Sequence, residues 1–155
     1  MKTVSTPNLI ASCFILTILL FTVASCSSST TDKEIAFIDG NGSIAIVDSS
    51  GKHVRRLSNS HKARSLAWSP DGSKIAYQSW AGDESSLWIL TVEDGNEVWA
   101  FKEEGPSCSG SWSPDGKFLA VDAGGSLYIL SGSTYEVKNQ VPYSLRYIWS
   151  PDRNG

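Results

Sequence analysis

The residues of this chain that could do chemistry are few, and their spacing does not suit catalysis. A serine nucleophile of the hydrolase kind needs Gly-x-Ser-x-Gly at a sharp strand-to-helix turn. Gly105-Pro106-Ser107-Cys108-Ser109-Gly110 has its second glycine one position too late, and no helical pattern follows. His53 and His61 stand in a basic stretch without cysteine or carboxylate at zinc-ligand spacing, so they read as solvated surface. Asp39-Gly40-Asn41-Gly42 and Asp94-Gly95-Asn96 carry the residue types of calcium loops. They lack the further spaced carboxylates of an oxygen cage, and as hairpin turns they need no ion. Cys108 reads as a small buried apolar residue, since nothing near it in sequence would stabilise a thiolate. The expectation is a chain with no catalytic residues, no metal and no cofactor.

One pattern dominates instead, and it belongs to the elements that would have to position any site. Trp68-Ser69-Pro70-Asp71-Gly72 returns as Trp112-Ser113-Pro114-Asp115-Gly116 and again as Trp149-Ser150-Pro151-Asp152, with the tryptophans 44 and 37 residues apart. A period near forty with a turn signature in each copy marks the blade of a β-propeller. Pro70 and Pro114 preset φ at the second turn position, and Asp71 and Asp115 can bond the nearby backbone. Gly72 and Gly116 take positive φ without a steric penalty. Asp152 departs from the pattern, being followed by Arg153 and Asn154. Trp68, Trp112 and Trp149 hold equivalent places and are expected to pack between blades. Trp80 and Trp99 fall outside the repeat, and Trp80 is read as structural.

Apolar alternation around these turns predicts an all-β fold of four-stranded antiparallel blades. Strands at 34–38, 43–48 and 53–57 form a first blade without its tryptophan strand. Strands near 65–68, 74–78, 87–91 and 97–100 form a complete one, residues 109–137 another, and 145–149 a lone first strand. That is about three blades' worth, and closed propellers need four or more. The expectation is an incomplete ring, the amino-terminal portion of a longer propeller, with self-association that completes the ring as the other outcome.

Ser43-Ile44-Ala45-Ile46-Val47-Asp48, Ser86-Leu87-Trp88-Ile89-Leu90 and Ser126-Leu127-Tyr128-Ile129-Leu130 supply a second recurring half. Joined to the Trp-Ser-Pro-Asp-Gly turns, they resemble the WD-repeat-like blades of TolB-type propellers over residues 34–155. The resemblance implies a propeller that binds protein partners of the cell envelope and is not an enzyme. TolB carries an α/β domain ahead of its propeller, and none is expected here between the signal and the blades, so TolB's own partners are not carried over. Related blades also gate the catalytic domain of prolyl-oligopeptidase-like serine peptidases; under that alternative the catalytic residues lie beyond residue 155.

The amino terminus adds a separate signal. Lys2 is the only charge before Asp32, and residues 9–24 are uncharged and mostly apolar. The run is short for a membrane span and suits the apolar region of a secretory signal. It ends in Val23-Ala24-Ser25-Cys26, which resembles the lipobox of bacterial lipoproteins. That resemblance implies cleavage before Cys26 and transfer of fatty-acyl chains, such as palmitate, to the new amino-terminal cysteine. Two or more acyl chains hold a soluble domain stably at a bilayer. The domain reading is a signal peptide at 1–25, a flexible Ser/Thr tether at 26–33 and the propeller at 34–155. Removing residues 1–25 leaves 12 basic and 16 acidic residues, net charge −4. Such mild acidity argues against a nucleic-acid partner. The basic run from Lys52 to Arg64 and the later acids, Glu97 among them, read as solvated outer strands.

Overall fold

The computed structural model describes residues 33–82, 84–104, 108–142 and 146–151. Cys26, the signal and tether, and Asp152 lie outside these residues. The described residues form eleven strands and no helix. A three-stranded antiparallel sheet comprises β1 (Glu34–Ile38), β2 (Ile44–Asp48) and β3 (Val54–Ser58). The second sheet runs β4 (Ala63–Trp68), β5 (Lys74–Ala81), β6 (Glu84–Thr91) and β7 (Glu97–Glu104). The third runs β8 (Cys108–Trp112), β9 (Phe118–Ala123), β10 (Ser126–Ser131) and β11 (Val137–Pro142). Each sheet is a meander, and each is a propeller blade, so the all-β partial propeller expected from the repeat is what forms.

Burial explains why the middle blade reads almost continuously apolar. On β5, Ile75 and Tyr77 face the first blade, in a cluster with Ile44, Ile46 and Leu90. Ala76, between them, faces the third blade with Leu87, Ile89, Trp112, Leu119 and Val121. A strand covered on both faces has no reason to alternate with polar residues. Full burial of one such aliphatic side chain contributes ~1.5–3 kcal/mol. Gly110 lets β8 approach β6 closely: a Cβ there would lie 3.1 Å from both methyls of Leu87.

Three differences from the sequence reading are instructive. The hairpin of β5 and β6 is longer than expected, continuing through Trp80↔Ser85 and Ala81↔Glu84. Ser85 is polar and so hid the strand, but it is fully buried and accepts a hydrogen bond from Gln78 Nε2 at 2.8 Å. Residues 146–151 form no strand although 145–149 match the pattern of β4 and β8. No described strand is available to pair with them, and side chains hold the segment instead. Tyr147 donates its hydroxyl to Ala120 O (2.9 Å) and Trp149 its indole N–H to Ser111 O (2.9 Å). Finally, the outermost strand of each blade carries one extra residue against its neighbour. Leu57, Ala100 and Lys138 are the residues skipped in the three registers.

Candidate functional site: the groove between two repeated turns

The two complete copies of the turn are built by the same atoms. Ser69 closes a β-turn by accepting the Gly72 N–H at its carbonyl (2.9 Å), and Ser113 does so for Gly116 (2.9 Å). Gly72 and Gly116 then sit at φ of 71° and 70°, where a Cβ is unfavourable. The serine hydroxyls act as relays. Ser69 Oγ donates to Asp71 Oδ1 (2.6 Å) and accepts the Lys74 N–H (2.9 Å). Ser113 Oγ donates to Asp115 Oδ1 (2.7 Å) and accepts the Phe118 N–H (3.0 Å). The Ser73 and Lys117 backbone amides also donate to these carboxylates. The serine hydroxyl, followed by the backbone amide, holds each carboxyl down to about 2, so both are ionised at neutral pH.

Between the two turns lies a half-open groove of about 390 Å³, lined by Pro70, Asp71, Lys74, Trp112, Pro114 and Asp115 among others. Trp112 is only 8% exposed, and its indole Nε1 is buried without a hydrogen-bond partner among the described residues. Tyr135 fastens this junction from the third blade. Its hydroxyl accepts from Lys74 Nζ at 3.0 Å, the ammonium lies 5.5 Å from the ring centroid, and the ring meets Trp112 edge-on at 6.5 Å. Tyr135 holds this position with φ at 61°, where the corresponding hairpins of the first two blades have Gly51 and Gly95. A bulky residue in the left-handed region marks a place where tertiary contacts overrule local preference.

A second constellation, missed in the sequence, joins the first two blades. Glu97 Oε1 accepts from the Tyr77 hydroxyl (2.9 Å) and from Ser58 Oγ, while Oε2 lies 3.5 Å from His61 Nδ1. His61 stacks on Trp88 with ring centroids 4.0 Å apart. His61 and Glu97 are thus packed at a junction, which corrects their reading as solvated surface. Burial, then the bond to Glu97, raises the Tyr77 phenol far above its ordinary value. Serine, histidine and a carboxylate together invite comparison with a hydrolytic triad, but the order of contacts is wrong. A triad places histidine between serine and acid, and here the carboxylate stands between the serine and the histidine. The legible signal was Tyr77, a buried phenol at the place where the third blade has Val121 and in need of a partner.

No family model matches the chain. Among curated proteins it is similar to the Tol-Pal system protein TolB of Francisella tularensis subsp. mediasiatica, 32% identical over 101 residues. That match covers 61% of this chain and 23% of the relative. The crystal structure of TolB from Acinetobacter baumannii superposes with a TM-score of 0.56 at 26% identity, covering 68% of this chain and 29% of that one. The blades of this chain are similar to those of TolB-type propellers. The chain spans about a quarter of the length of the TolB relatives it matches. It is also similar to the uncharacterized peptidase YuxL of Bacillus subtilis, 35% identical over 100 residues, covering 55% of this chain and 15% of that protein.

Within these blades the residues singled out by the repeat fall into distinct surroundings. Pro70, Asp71 and Gly72, with Pro114, Asp115 and Gly116, form the two turns that border the groove. Pro151 is exposed. Trp112 lies in the core between the second and third blades, and Trp68 is half-buried against the core between the first and second. Trp149 is half-buried against β8. Trp80 is half-buried under the Arg64 guanidinium, 4.8 Å from its centroid, whereas Trp99 is 57% exposed on β7. Asp39 Oδ1 accepts the Asn41 and Ser43 amides and Oδ2 meets Arg56, the wiring of a hairpin turn. Cys108 is fully buried.

Proposed function

We propose that this chain is a non-enzymatic, protein-binding propeller of the bacterial cell envelope, tethered to a membrane by lipid on Cys26. The observation that carries the reading is the similarity to TolB over the blades, because the TolB relatives belong by name to the Tol-Pal system. Val23-Ala24-Ser25-Cys26 supports the anchor, with 1–25 as the signal, 26–33 as the tether and 34–155 as the blades. A propeller on a tether presents its turns and loops to partners, and loops set on a rigid scaffold are where recognition residues concentrate. No nucleic acid, metal or cofactor enters the reading. Self-association that completes the ring belongs to it as a secondary mode.

The test is made in the natural host with the whole protein. It should partition with membranes and label with radioactive fatty acid, and Cys26→Ala should abolish both. Continued labelling of the variant would overturn the anchor. The YuxL similarity favours one second reading, that such blades accompany a serine peptidase domain. A fluorophosphonate probe decides between them: labelling of the whole natural protein would support the peptidase reading, and its absence the interaction module.

A further inference from the structure

We propose that two copies of this chain close one ring by exchanging a strand, residues 146–151 of each copy becoming the inner strand of the other copy's first blade. The inference rests on the ring-completing self-association of the proposed function and names the strand and the faces that carry it. Both complete blades begin with an inner strand ending in tryptophan, β4 beside β5 and β8 beside β9. The first blade has three strands, and among the described residues no strand lies on the free side of β1. Residues 146–151 are the converse, the pattern of an inner strand with no described strand to pair with. Tyr147 and Trp149 already hold them against the third blade, as β8 stands against the second.

The repeat sets the register. Trp68 pairs with Ile75 and Trp112 with Leu119. Ile75 pairs in turn with Leu90, and Ile35 with Val47, which holds the place of Leu90 in the first blade. Trp149 of one copy therefore falls opposite Ile35 of the other, Ile148 opposite Ala36 and Ser150 opposite Glu34. Ile148 is almost fully exposed in the single copy. In the exchange it enters the space between the first two blades, where Ala36 packs against Ile44 and Ile46. Its counterpart in β4, Ala67, packs in the same way between the second and third blades. A segment added to an open sheet edge gains main-chain hydrogen bonds, while its alternate side chains fix the register.

The faces repeat contacts the molecule already makes. On the side of the first blade away from the second, Ile35, Val47 and Val54 form one cross-strand row, with Ile35 and Val54 exposed. On the side of the third blade away from the second, Leu127 pairs with Val141, which is exposed. The middle-blade counterparts of these residues, Ile75 with Leu90 and Leu87 with Phe101, are buried against its two neighbours. Such a head-to-tail contact gives a closed ring when its rotation closes. Three blades in each of two copies make six, within the roughly four to eight of known propellers.

The experiment uses two differently tagged copies of the whole protein, co-expressed in the natural host, one with Glu34→Cys and the other with Ser150→Cys. Both positions are exposed in the single copy. Mild oxidation should give a mixed-tag dimer on a non-reducing gel. It should be at least about tenfold stronger than for the out-of-register pair Glu34→Cys with Arg146→Cys, because a disulfide forms only between Cα atoms roughly 4.4–6.8 Å apart. Adding Ile148→Asp should weaken the mixed dimer at least about tenfold, since it would bury a charge, while leaving the tryptophan emission of the single copy unchanged. The absence of a mixed-tag dimer, as when further blades of a longer product cover both faces, would overturn the proposal. Equal cross-linking at both registers would overturn it too. Sedimentation as a monomer at high concentration removes self-association itself, whereas a dimer without the Glu34–Ser150 cross-link removes the strand exchange alone.

Discussion

Tyr135 offers a direct measurement of how much tertiary contact is needed to hold a residue against its backbone preference. At φ 61° a non-glycine residue is disfavoured by ~1–2 kcal/mol. Set against that are an edge-on contact with Trp112 worth ~0.5–1.5 kcal/mol and the partial burial of the ring against the core between the second and third blades, worth about 1 kcal/mol. The Lys74–hydroxyl hydrogen bond adds about 1 kcal/mol. Tyr135→Gly relieves the strain, forfeits all three contacts and loosens the unfolded chain, so a net loss of about 1–2 kcal/mol is expected. Tyr135→Ala forfeits the contacts and keeps the strain, and should lose about 2–3 kcal/mol. Tyr135→Phe removes only the hydroxyl and should lose about 1 kcal/mol. Urea unfolding midpoints at constant m-value give the order Phe, Gly, Ala of increasing damage. A double-mutant cycle of Tyr135→Phe with Lys74→Met should return a coupling of roughly 0.5–1 kcal/mol. Should Tyr135→Gly match or exceed the wild type in stability, the clip is weaker than the strain and the reasoning fails.

The other expectations are smaller in scope. Gly72→Val and Gly116→Val should each destabilise by about 1–3 kcal/mol, read by thermal unfolding. The cause is φ alone, since a Cβ at Gly72 meets nothing and at Gly116 only Pro70 Cδ at 3.8 Å. The carboxyls of Asp71 and Asp115 are lowered from 3.8 to about 2, so their stabilisation is present above pH ~4 and lost as pH falls toward 2. Acid unfolding of Asp71→Asn should show a shallower loss across that window, and an unchanged profile would count against the relay. Glu97→Ala leaves the Ser58 hydroxyl without its acceptor and the Tyr77 hydroxyl with only His61 Nδ1, 3.1 Å away, and should lose more stability than Tyr77→Phe, about 1–3 against about 1 kcal/mol by chemical denaturation. Equal losses would mean the junction is held by packing alone.

The turns were legible because their chemistry is local. Ser69, Pro70, Asp71 and Gly72 satisfy one another within a few residues, so the motif carries its own geometry. The blades followed, since a period near forty with alternating apolar runs leaves few other architectures. The Glu97 junction was not legible. Ser58 and Glu97 are 39 residues apart and meet only through the register of two blades, which no local pattern encodes. Tyr135 was hidden for another reason, since its place in a hairpin filled by glycine in the earlier blades shows only once the blades are superposed. The segment around Ile148 illustrates the converse failure, for a sequence can have a strand's pattern and still need a neighbour to become one. Ile148 is 93% exposed. The groove lay between the two, its rim readable from the turns and its floor, Trp112, identifiable only in three dimensions.

The extra residues at Leu57, Ala100 and Lys138 bear on how this protein behaves at high concentration. An outermost strand normally offers a free edge on which another chain can build, the first step toward fibrils. Here each rim strand is interrupted by a bulge, which twists it locally and breaks the even spacing of its outward amides and carbonyls. A foreign strand approaching from outside would find the ladder out of step partway along. New blades can therefore be added around the ring while growth outward from the rim is frustrated, and the repeat that makes the fold easy to extend also limits the direction in which it extends.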